Sequence, residues 1–320
     1  MQDDLRLELA GGAGPGAGKH VVLVAGDEEY RSEEALPMLA GLLSERHGFR
    51  CTVLFATDPA SGTIDPTVTN HQPGLAQLDS ADMLVLFTRF REWPDADMAH
   101  FVRYVESGRP ILGIRTATHA FQYERDPKST YAHWDWRSTT WPGGFGRQVL
   151  GETWISHHGA HGTQSTRGVI EPALAAHPVL HGVRDLWGPT DVYGIRDLPA
   201  DARVLVRGQV LEGMQPDSPP AAGALNEPTL PVVWLREREL EGGKTQRVVC
   251  STLGASVDLK CEDLRRLFVN AVFWGVGLDV PERAEAAVVG PWAPTPFGFG
   301  AHVKGLRARD LRSAAKTARD

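Results

Sequence analysis

The chain has 320 residues, of which 42% are hydrophobic and 23% charged, as in ordinary soluble globular proteins and unlike disordered or fibrous ones. Its 40 acidic and 33 basic residues give a formal net charge of −7, which argues against non-specific binding to nucleic acid. No apolar run approaches the roughly 18 residues needed to cross a bilayer, so the sequence predicts no membrane span.

The N-terminal segment 1–18 is predicted to be a flexible lead-in, because it contains the run GGAGPGAG. Acidic residues stand where a secretory signal needs a basic start and an apolar stretch, so we expect the chain as written to be cytoplasmic. A natural signal peptide that had been removed and replaced by a single Met would leave the same pattern. The protein would then be exported or periplasmic. A phosphate-binding loop is excluded, because Ala13 and His20 occupy positions that require Gly and Ser or Thr.

Short apolar runs alternate with amphipathic segments from residue 19 to residue 125. The runs predict buried strands at 20–25, 49–56, 81–88 and 109–114. The amphipathic segments predict helices at 32–47 and 95–107, and another that opens over 116–123. This alternation is typical of α/β proteins. We predict a three-layer sandwich with a mostly parallel, doubly wound sheet.

The rest of the chain is predicted to complete the same domain, assigned to residues 19–280. Segment 126–165, rich in Trp, Gly, His and Thr, is too long for a simple linker and is treated as a functional insertion. Residues 281–320 form an irregular, basic extension, expected to be a solvated tail. Both a monomer and a homo-oligomer remain open. Further strands are predicted at 203–210, 231–236 and 246–253, and a helix at 262–275.

The three cysteines, Cys51, Cys250 and Cys261, lie in separate segments without the paired spacing of a zinc site. An odd and sparse set gives no disulfide framework. Cys51 and Cys250 lie in apolar runs, where a small buried side chain is the usual role.

Polar residues follow three of the predicted strands. Ligands in α/β proteins bind where the carboxyl ends of parallel strands meet, so these loops are predicted to form one cleft. His119 is a candidate acid or base, and Arg115 a candidate for polarising a carbonyl. The alternative is a structural role: the acidic residues would stabilise the N-terminus of the following helix, and the arginines would form ion pairs with them. The candidate binding residues are Asp27, Glu28, Glu29, Tyr30, Arg31, Arg89 and Thr118.

Three histidines fall within five residues at His157, His158 and His161. Histidine titrates near neutral pH and is a common metal ligand. Gly159 and Gly162 argue against the helix that would place His157 and His161 on one face. We therefore predict no cofactor and take His157 and His158 as further candidate catalytic residues and His161 as a binding residue. A divalent metal at the three histidines, or a purely structural role, is the alternative.

Four of the nine tryptophans lie within 21 positions, from Trp134 to Trp154. Flat apolar rings with an N–H donor suit sugar rings, so Trp154 is a candidate sugar-binding residue and the predicted ligand is a small carbohydrate. Packing of the insertion onto the sheet is the alternative role for these tryptophans.

A series of motifs in fixed order carries a family resemblance over residues 19–280. The chain resembles the ThuA-like (trehalose-utilisation-type) proteins, which implies the class I glutamine amidotransferase-like variant of the flavodoxin-like sandwich. The resemblance also implies that Asp191 and Tyr193 belong to the site. The motifs are GDEEYRSEEALPML at 26–39, TRFREWPD at 88–95, GIRTATHAF at 113–121, GGFGRQVLGETWISHHGAHG at 143–162, HPVLHGV at 177–183, PVVWLRE at 231–237 and TLGASVDLKCEDLRRLFVNAVFWGVGL at 252–278.

The resemblance is also informative where the sequence departs from the pattern. A glutamine amidotransferase carries a nucleophilic Cys in a G-x-C-x-G turn after the corresponding strand, whereas residues 113–117 read GIRTA with Arg115 at that position. Glutamine hydrolysis by a thiolate is therefore excluded. The Gly-His pair of many members is replaced by Gly254 and Ala255, so no role is assigned there.

Two functions remain open from the sequence. The resemblance implies bacterial sugar breakdown, and the first function is a lyase, isomerase or hydrolase acting on a carbohydrate derivative such as a 3-keto-sugar or glycoside by His acid–base chemistry. The second is a non-catalytic sugar- or partner-binding protein on a degenerate amidotransferase scaffold, because functions are grafted onto folds.

Overall fold

The computed structural model describes residues 5–311, within which the chain forms ten strands and three α-helices. The strands are β1 (Arg6–Leu9), β2 (His20–Gly26), β3 (Arg50–Phe55), β4 (Met83–Thr88), β5 (Ile111–Ile114), β6 (Thr166–Ile170), β7 (Leu186–Gly188), β8 (Ala202–Val210), β9 (Leu230–Leu240) and β10 (Lys244–Ser251). The helices are α1 (Ser32–His47), α2 (Asp95–Glu106) and α3 (Glu262–Gly275). In this part of the chain no helix is long and apolar enough to traverse a bilayer.

All ten strands form one sheet in the order β1-β3-β2-β4-β5-β10-β9-β8-β6-β7. The four pairs from β3 to β10 are parallel, and the five remaining pairs are antiparallel. The prediction of an α/β fold is confirmed, but the sheet is mixed rather than mostly parallel. The reason lies in the connections. Crossovers join the parallel strands, whereas β9 and β10 are joined by the short turn 241–243, which permits only antiparallel pairing.

Helices cover both faces of the sheet, which has a hydrophobic core on each side. Val21 and Leu23 of β2 pack in one core with α1 and α3. Val22 and Val24 face the opposite way, into a second core with α2 and the aromatic residues of the insertion. This alternation along one strand is what a sheet buried on both faces requires.

The helix predicted to open over 116–123 is a short 3₁₀ turn instead, Arg115–His119. The chain then runs extended, with Phe121 bridged to Arg91. The backbone N–H of Tyr123 donates to the carboxylate of Asp135 at 2.8 Å, and that of Gln122 donates to the Arg91 carbonyl at 3.0 Å. Because neighbouring loops use these backbone groups, a helix does not continue.

The two ends of the described chain pack on the domain. Part of the predicted flexible lead-in forms β1, which pairs with β3. Beyond α3 the chain is irregular, but it is no solvated tail as far as residue 311. Trp292 donates from Nε1 to the Glu34 carbonyl at 3.2 Å, and Phe297 packs against the first core. The basic residues Arg312, Lys316 and Arg319, assigned to the extension, lie outside the described residues.

Candidate functional site

The loops after β2, β4 and β5 meet at the carboxyl edge of the parallel strands. Asp27, which follows β2, joins two of them: its buried carboxylate accepts a hydrogen bond from the Thr116 hydroxyl and another from the Glu29 N–H, at 2.8 Å. The Arg89 N–H donates to the Gly26 carbonyl at 2.9 Å, which ties the loop after β4 to the first. Asp27 therefore holds the edge together and does not face solvent.

Each of these loops contains a non-glycine residue with positive φ. The angles are 61° at Arg31, 52° at Phe90 and 47° at Arg115. A left-handed backbone costs roughly 1–3 kcal/mol per residue outside glycine, and such residues cluster at functional sites. Across residues 5–311 these three are the only non-glycine residues in that region, so the strain is concentrated at one edge of the sheet.

Arg115 lies buried beneath this edge, where it holds Asp191. Its guanidinium donates to the Asp191 carboxylate and carbonyl, both at 2.8 Å, and to the Thr252 carbonyl at 2.6 Å. The guanidinium is stacked between the rings of Tyr30 and Tyr193, at 4.5 and 3.9 Å from their centroids. Burial alone would raise the pKa of Asp191, but the charge of Arg115 and the hydrogen bonds to His157 and His161 together outweigh it and hold that pKa well below its usual range.

Two histidines of the insertion contact the same carboxylate. His157 Nδ1 lies 2.7 Å from one oxygen of Asp191, and His161 Nδ1 lies 3.1 Å from the other. The second ring nitrogen of His161 lies 3.2 Å from Glu29. The hydrogen bond to Asp191 raises the pKa of His161, while burial followed by the charge of Asp27 raises the pKa of Glu29.

A small cleft of about 30 Å³ opens beside this cluster. Its position at the ends of β2, β4 and β5 is the one predicted from the strand order. Tyr193 is brought there by a bridge between its backbone and that of His157. The cleft is lined by Glu29, Tyr30, Arg89, Phe90, His119, Trp154, His157 and Tyr193.

His119 is the most buried histidine of the cleft. Burial, and then the positive charges of Arg89 and Arg115, place its pKa well below the usual value, so the ring is neutral at neutral pH. The Thr118 hydroxyl lies 3.4 Å from the Arg115 carbonyl, to which it donates, and 3.1 Å from His119 Nδ1. Because a hydroxyl donates only one proton, this chain favours a proton on Nδ1 and leaves Nε2 as an acceptor.

Aromatic rings surround His119 on several sides. Its ring centroid lies 5.2 Å from that of Phe90, 5.5 Å from that of Trp154 and 6.2 Å from that of Tyr193. Trp154 is only half-buried and forms one rim. The walls therefore combine flat apolar faces with Arg89 and two imidazoles.

Other predicted site residues lie outside the cleft. Glu28 forms ion pairs with Arg89 and Arg91, which fixes the loop after β4. Arg31 points away and donates to the Gly298 carbonyl. His158 also points away, with Nε2 2.9 Å from the Leu225 carbonyl, so it does not join the other two histidines.

Two parts of the site were missed from the sequence. Phe90 lies between two residues already recognised as polar loop positions, and its aromatic ring was the available signal. The strap, defined as residues 292–299, packs beside the cleft. There Phe297 lies 5.5 Å from the ring of Tyr30 and 5.3 Å from that of His161, and Phe299 lies 5.1 Å from the Arg89 guanidinium. Aromatic residues in an otherwise polar tail were the signal for the strap.

Among the described residues, one group is arranged so that it could hold a metal ion. The group contributes three ligand atoms, all within 4.8 Å of one another, one each from His157, His161 and Asp191. Asp191 replaces His158 in the set considered from the sequence.

Solved structures with the same fold are described as ThuA-like. A protein from Parabacteroides merdae has 14% identity and a TM-score of 0.52, with 88% of this chain and 97% of that chain covered. One from Bacteroides uniformis has 16% identity and a TM-score of 0.50, with 84% and 94% covered. No family model matches the sequence, and no curated protein matches it. The likeness therefore concerns the fold, and the ThuA-like fold expected from the motifs is confirmed.

Proposed function

We propose that this protein, which has a ThuA-like fold, is an enzyme of bacterial carbohydrate breakdown. It would transfer a proton on a small sugar derivative, such as a 3-keto-sugar or 3-keto-glycoside. The main support is that His119, held neutral by burial, shares one cleft with the cationic Arg89. A neutral imidazole accepts a proton, and a guanidinium stabilises an oxygen that becomes negative.

The proposed step begins at a C–H bond beside the carbonyl. His119 Nε2 takes the proton, the electron pair of that C–H bond becomes the enolate double bond, and Arg89 stabilises the charge on oxygen. Where the α-carbon carries a hydroxyl group, its proton moves to the former carbonyl oxygen, and return of the first proton to the former carbonyl carbon gives the isomeric ketone, the product of an isomerase. Loss of a substituent from the next carbon, which leaves with the electron pair, gives a lyase.

The cleft is narrow, because its free volume of about 30 Å³ holds about one water molecule. The proposal therefore requires that side chains at the rim move outward to admit a single sugar ring. The half-buried Trp154 offers a flat face to the C–H side of such a ring, while Glu29 and Arg89 are placed to bind hydroxyl groups. Arg115 is a positioning residue, because it acts on this cleft through Asp191 and the two tyrosines.

Exchange of substrate protons for deuterium tests this assignment directly. We expect the protein to accelerate the exchange of C–H protons of 3-keto-glucose in D₂O, followed by NMR. His119→Ala should lower the rate by about 10²–10⁴-fold, the usual contribution of a general base. The ligand-induced rise in melting temperature should remain.

His158→Ala is the matched control, because His158 lies outside the cleft. Exchange that survives in His119→Ala would contradict the base assignment. Binding of keto-sugars without exchange by the unaltered protein would favour the non-catalytic binding function. If glucose, trehalose and their 3-keto derivatives neither raise the melting temperature nor exchange, the carbohydrate proposal is overturned.

A further inference from the structure

We propose that His157, His161 and Asp191 form a binding site for a divalent transition-metal ion. The three side chains form a two-histidine, one-carboxylate set beside the cleft, with their ligand atoms within 4.8 Å of one another. The site does not depend on the sugar proposal, because it rests on these residues alone.

The chain brings the two histidines together without a helix. The backbone of His157 is bridged to that of Tyr193. Because Asp191 lies two residues before Tyr193, this bridge places the imidazole of His157 next to Asp191. The loop then returns His161 to the same carboxylate, so that the two imidazole centroids lie 4.8 Å apart. Their side chains are 38% and 34% exposed, so an ion can reach them from solvent.

The surrounding contacts resemble those that orient the ligands of known metal sites. A metal-bound histidine almost always donates its other N–H to a carboxylate or carbonyl, and a ligating carboxylate is hydrogen-bonded in turn. His161 has its Nδ1 toward Asp191 and its Nε2 3.2 Å from Glu29. Asp191 is held by Arg115 at 2.8 Å. The contacts of Glu29 with His161 and of Arg115 with Asp191 come from residues outside the three ligands and indicate the same use.

The donor types select the class of ion. Imidazole nitrogen suits Zn²⁺, Fe²⁺, Ni²⁺ or Cu²⁺, whereas Mg²⁺ and Ca²⁺ prefer oxygen. The carboxylates of Asp191 and Glu29 offset the positive charges of Arg115 and Arg89 near the site. Three protein ligands leave a further position for water or a ligand oxygen, as in catalytic zinc sites.

Metal binding to the full chain, without any sugar, tests the site. After removal of bound metal with a chelator, we expect calorimetry to show one Zn²⁺ per chain and a rise in melting temperature. Co²⁺ should give a visible absorption band of nitrogen and oxygen ligation. His161→Ala and His157→Ala should each weaken binding by more than tenfold, and Glu29→Gln by about tenfold or more.

His158→Ala should bind like the unaltered chain, because that ring contacts Leu225 instead. Circular dichroism verifies that each variant is folded, and substitution of the partly exposed His157 provides an alternative if the His161 variant is not. The proposal is overturned if Zn²⁺ and Co²⁺ bind without saturation, or if His161→Ala and Glu29→Gln bind as well as the unaltered chain. The two proposals can fail separately. Metal binding without deuterium exchange would support the metal site alone, and exchange without metal binding would support the sugar proposal alone.

Discussion

Arg115 opens the turn after β5 with a left-handed backbone. Its side chain enters the protein between two tyrosine rings instead of facing the cleft. There it forms a buried ion pair with Asp191. Removing one partner of such a pair is costly, because the other charge is left buried without compensation.

Glu33, in the first turn of α1, is the most unusual titrating residue outside the cleft. It is 4% exposed, and neither carboxylate oxygen has a hydrogen-bond partner within residues 5–311. Burial raises the pKa of Glu33 from 4.5 to about 8. The folded chain therefore holds this proton more tightly than the unfolded chain does.

The raised pKa of Glu33 predicts a pH-dependent effect on stability. Its contribution is fully present below pH 4.5 and is lost as the pH rises toward 8, by up to about tenfold in the folding equilibrium constant per pH unit. Glu33→Gln removes this loss, so denaturant unfolding should show the variant gaining stability over the unaltered chain as the pH rises. The exposed Glu282→Gln is the control. A difference that stays constant with pH would contradict the assignment.

At the scale of elements, the insertion packs so closely on the turn after β5 that only glycine fits. A Cβ on Gly146 would lie 1.9 Å from the Thr118 carbonyl oxygen and 3.1 Å from the Cα of Thr153. Both contacts are with backbone, so no side-chain rotation relieves them. This contact supports Thr118 and, through it, the orientation of His119.

Two alanine substitutions should therefore have opposite effects. Gly146→Ala should destabilise the protein by about 1–3 kcal/mol, the usual cost of overpacking, and should also lower the exchange activity. Gly41→Ala, in the middle of α1, meets no atom within 4 Å and should stabilise by roughly 0.8–1 kcal/mol through helix propensity. Thermal and denaturant unfolding measure both, and equal effects of the two would contradict the close contact.

The elements that the sequence predicted well are those with strong local patterns. The bounds 32–47 and 262–275 agree with α1 and α3, because each helix has acidic residues in its first turn and buries many apolar side chains. Gly48 ends α1 with a φ of 82°. β6 and β7 were not predicted, since TRGVI is only partly buried and LWG has three residues. Their pairing is long-range and leaves little periodicity.

The same distinction applies to the site. The rule for strand ends placed Glu29, Arg89 and His119 at one edge, since it needs only the strand order. The hydrogen bond from Arg115 to Asp191 spans 76 positions, and no local pattern reports it. Only the family resemblance pointed to Asp191, and nothing in the sequence pointed to its contacts with His157 and His161.

For the whole molecule, the strap is the feature that the sequence least anticipated. Thr295 donates from its hydroxyl to Glu34 at 2.7 Å, which anchors the strap on α1. Phe297 then covers Tyr30 and His161, while Phe299, at 63% exposure, stays at the rim. The strap therefore contacts two of the residues that line the cleft, Tyr30 and Arg89.

Phe297→Ala should uncover the ring of His161 beside the cleft. We expect the modification of His161 by diethyl pyrocarbonate, mapped by mass spectrometry, to become several-fold faster because its ring loses an aromatic neighbour. His133 is exposed and lines no part of the cleft, so its rate should not change and serves as the control. An unchanged rate at His161 would show that the strap does not limit access.

The strap is translated long after the loop that it contacts. The Gly298 carbonyl accepts a hydrogen bond from Arg31, a residue 267 positions earlier in the chain. At about 5–20 residues per second, the ribosome adds the strap roughly 15–50 s after the loop it meets. A nascent chain can thus pair its first parallel strands while the strap is still untranslated. Any ligand whose binding depends on the contacts of the strap must wait until residues 292–299 have been added.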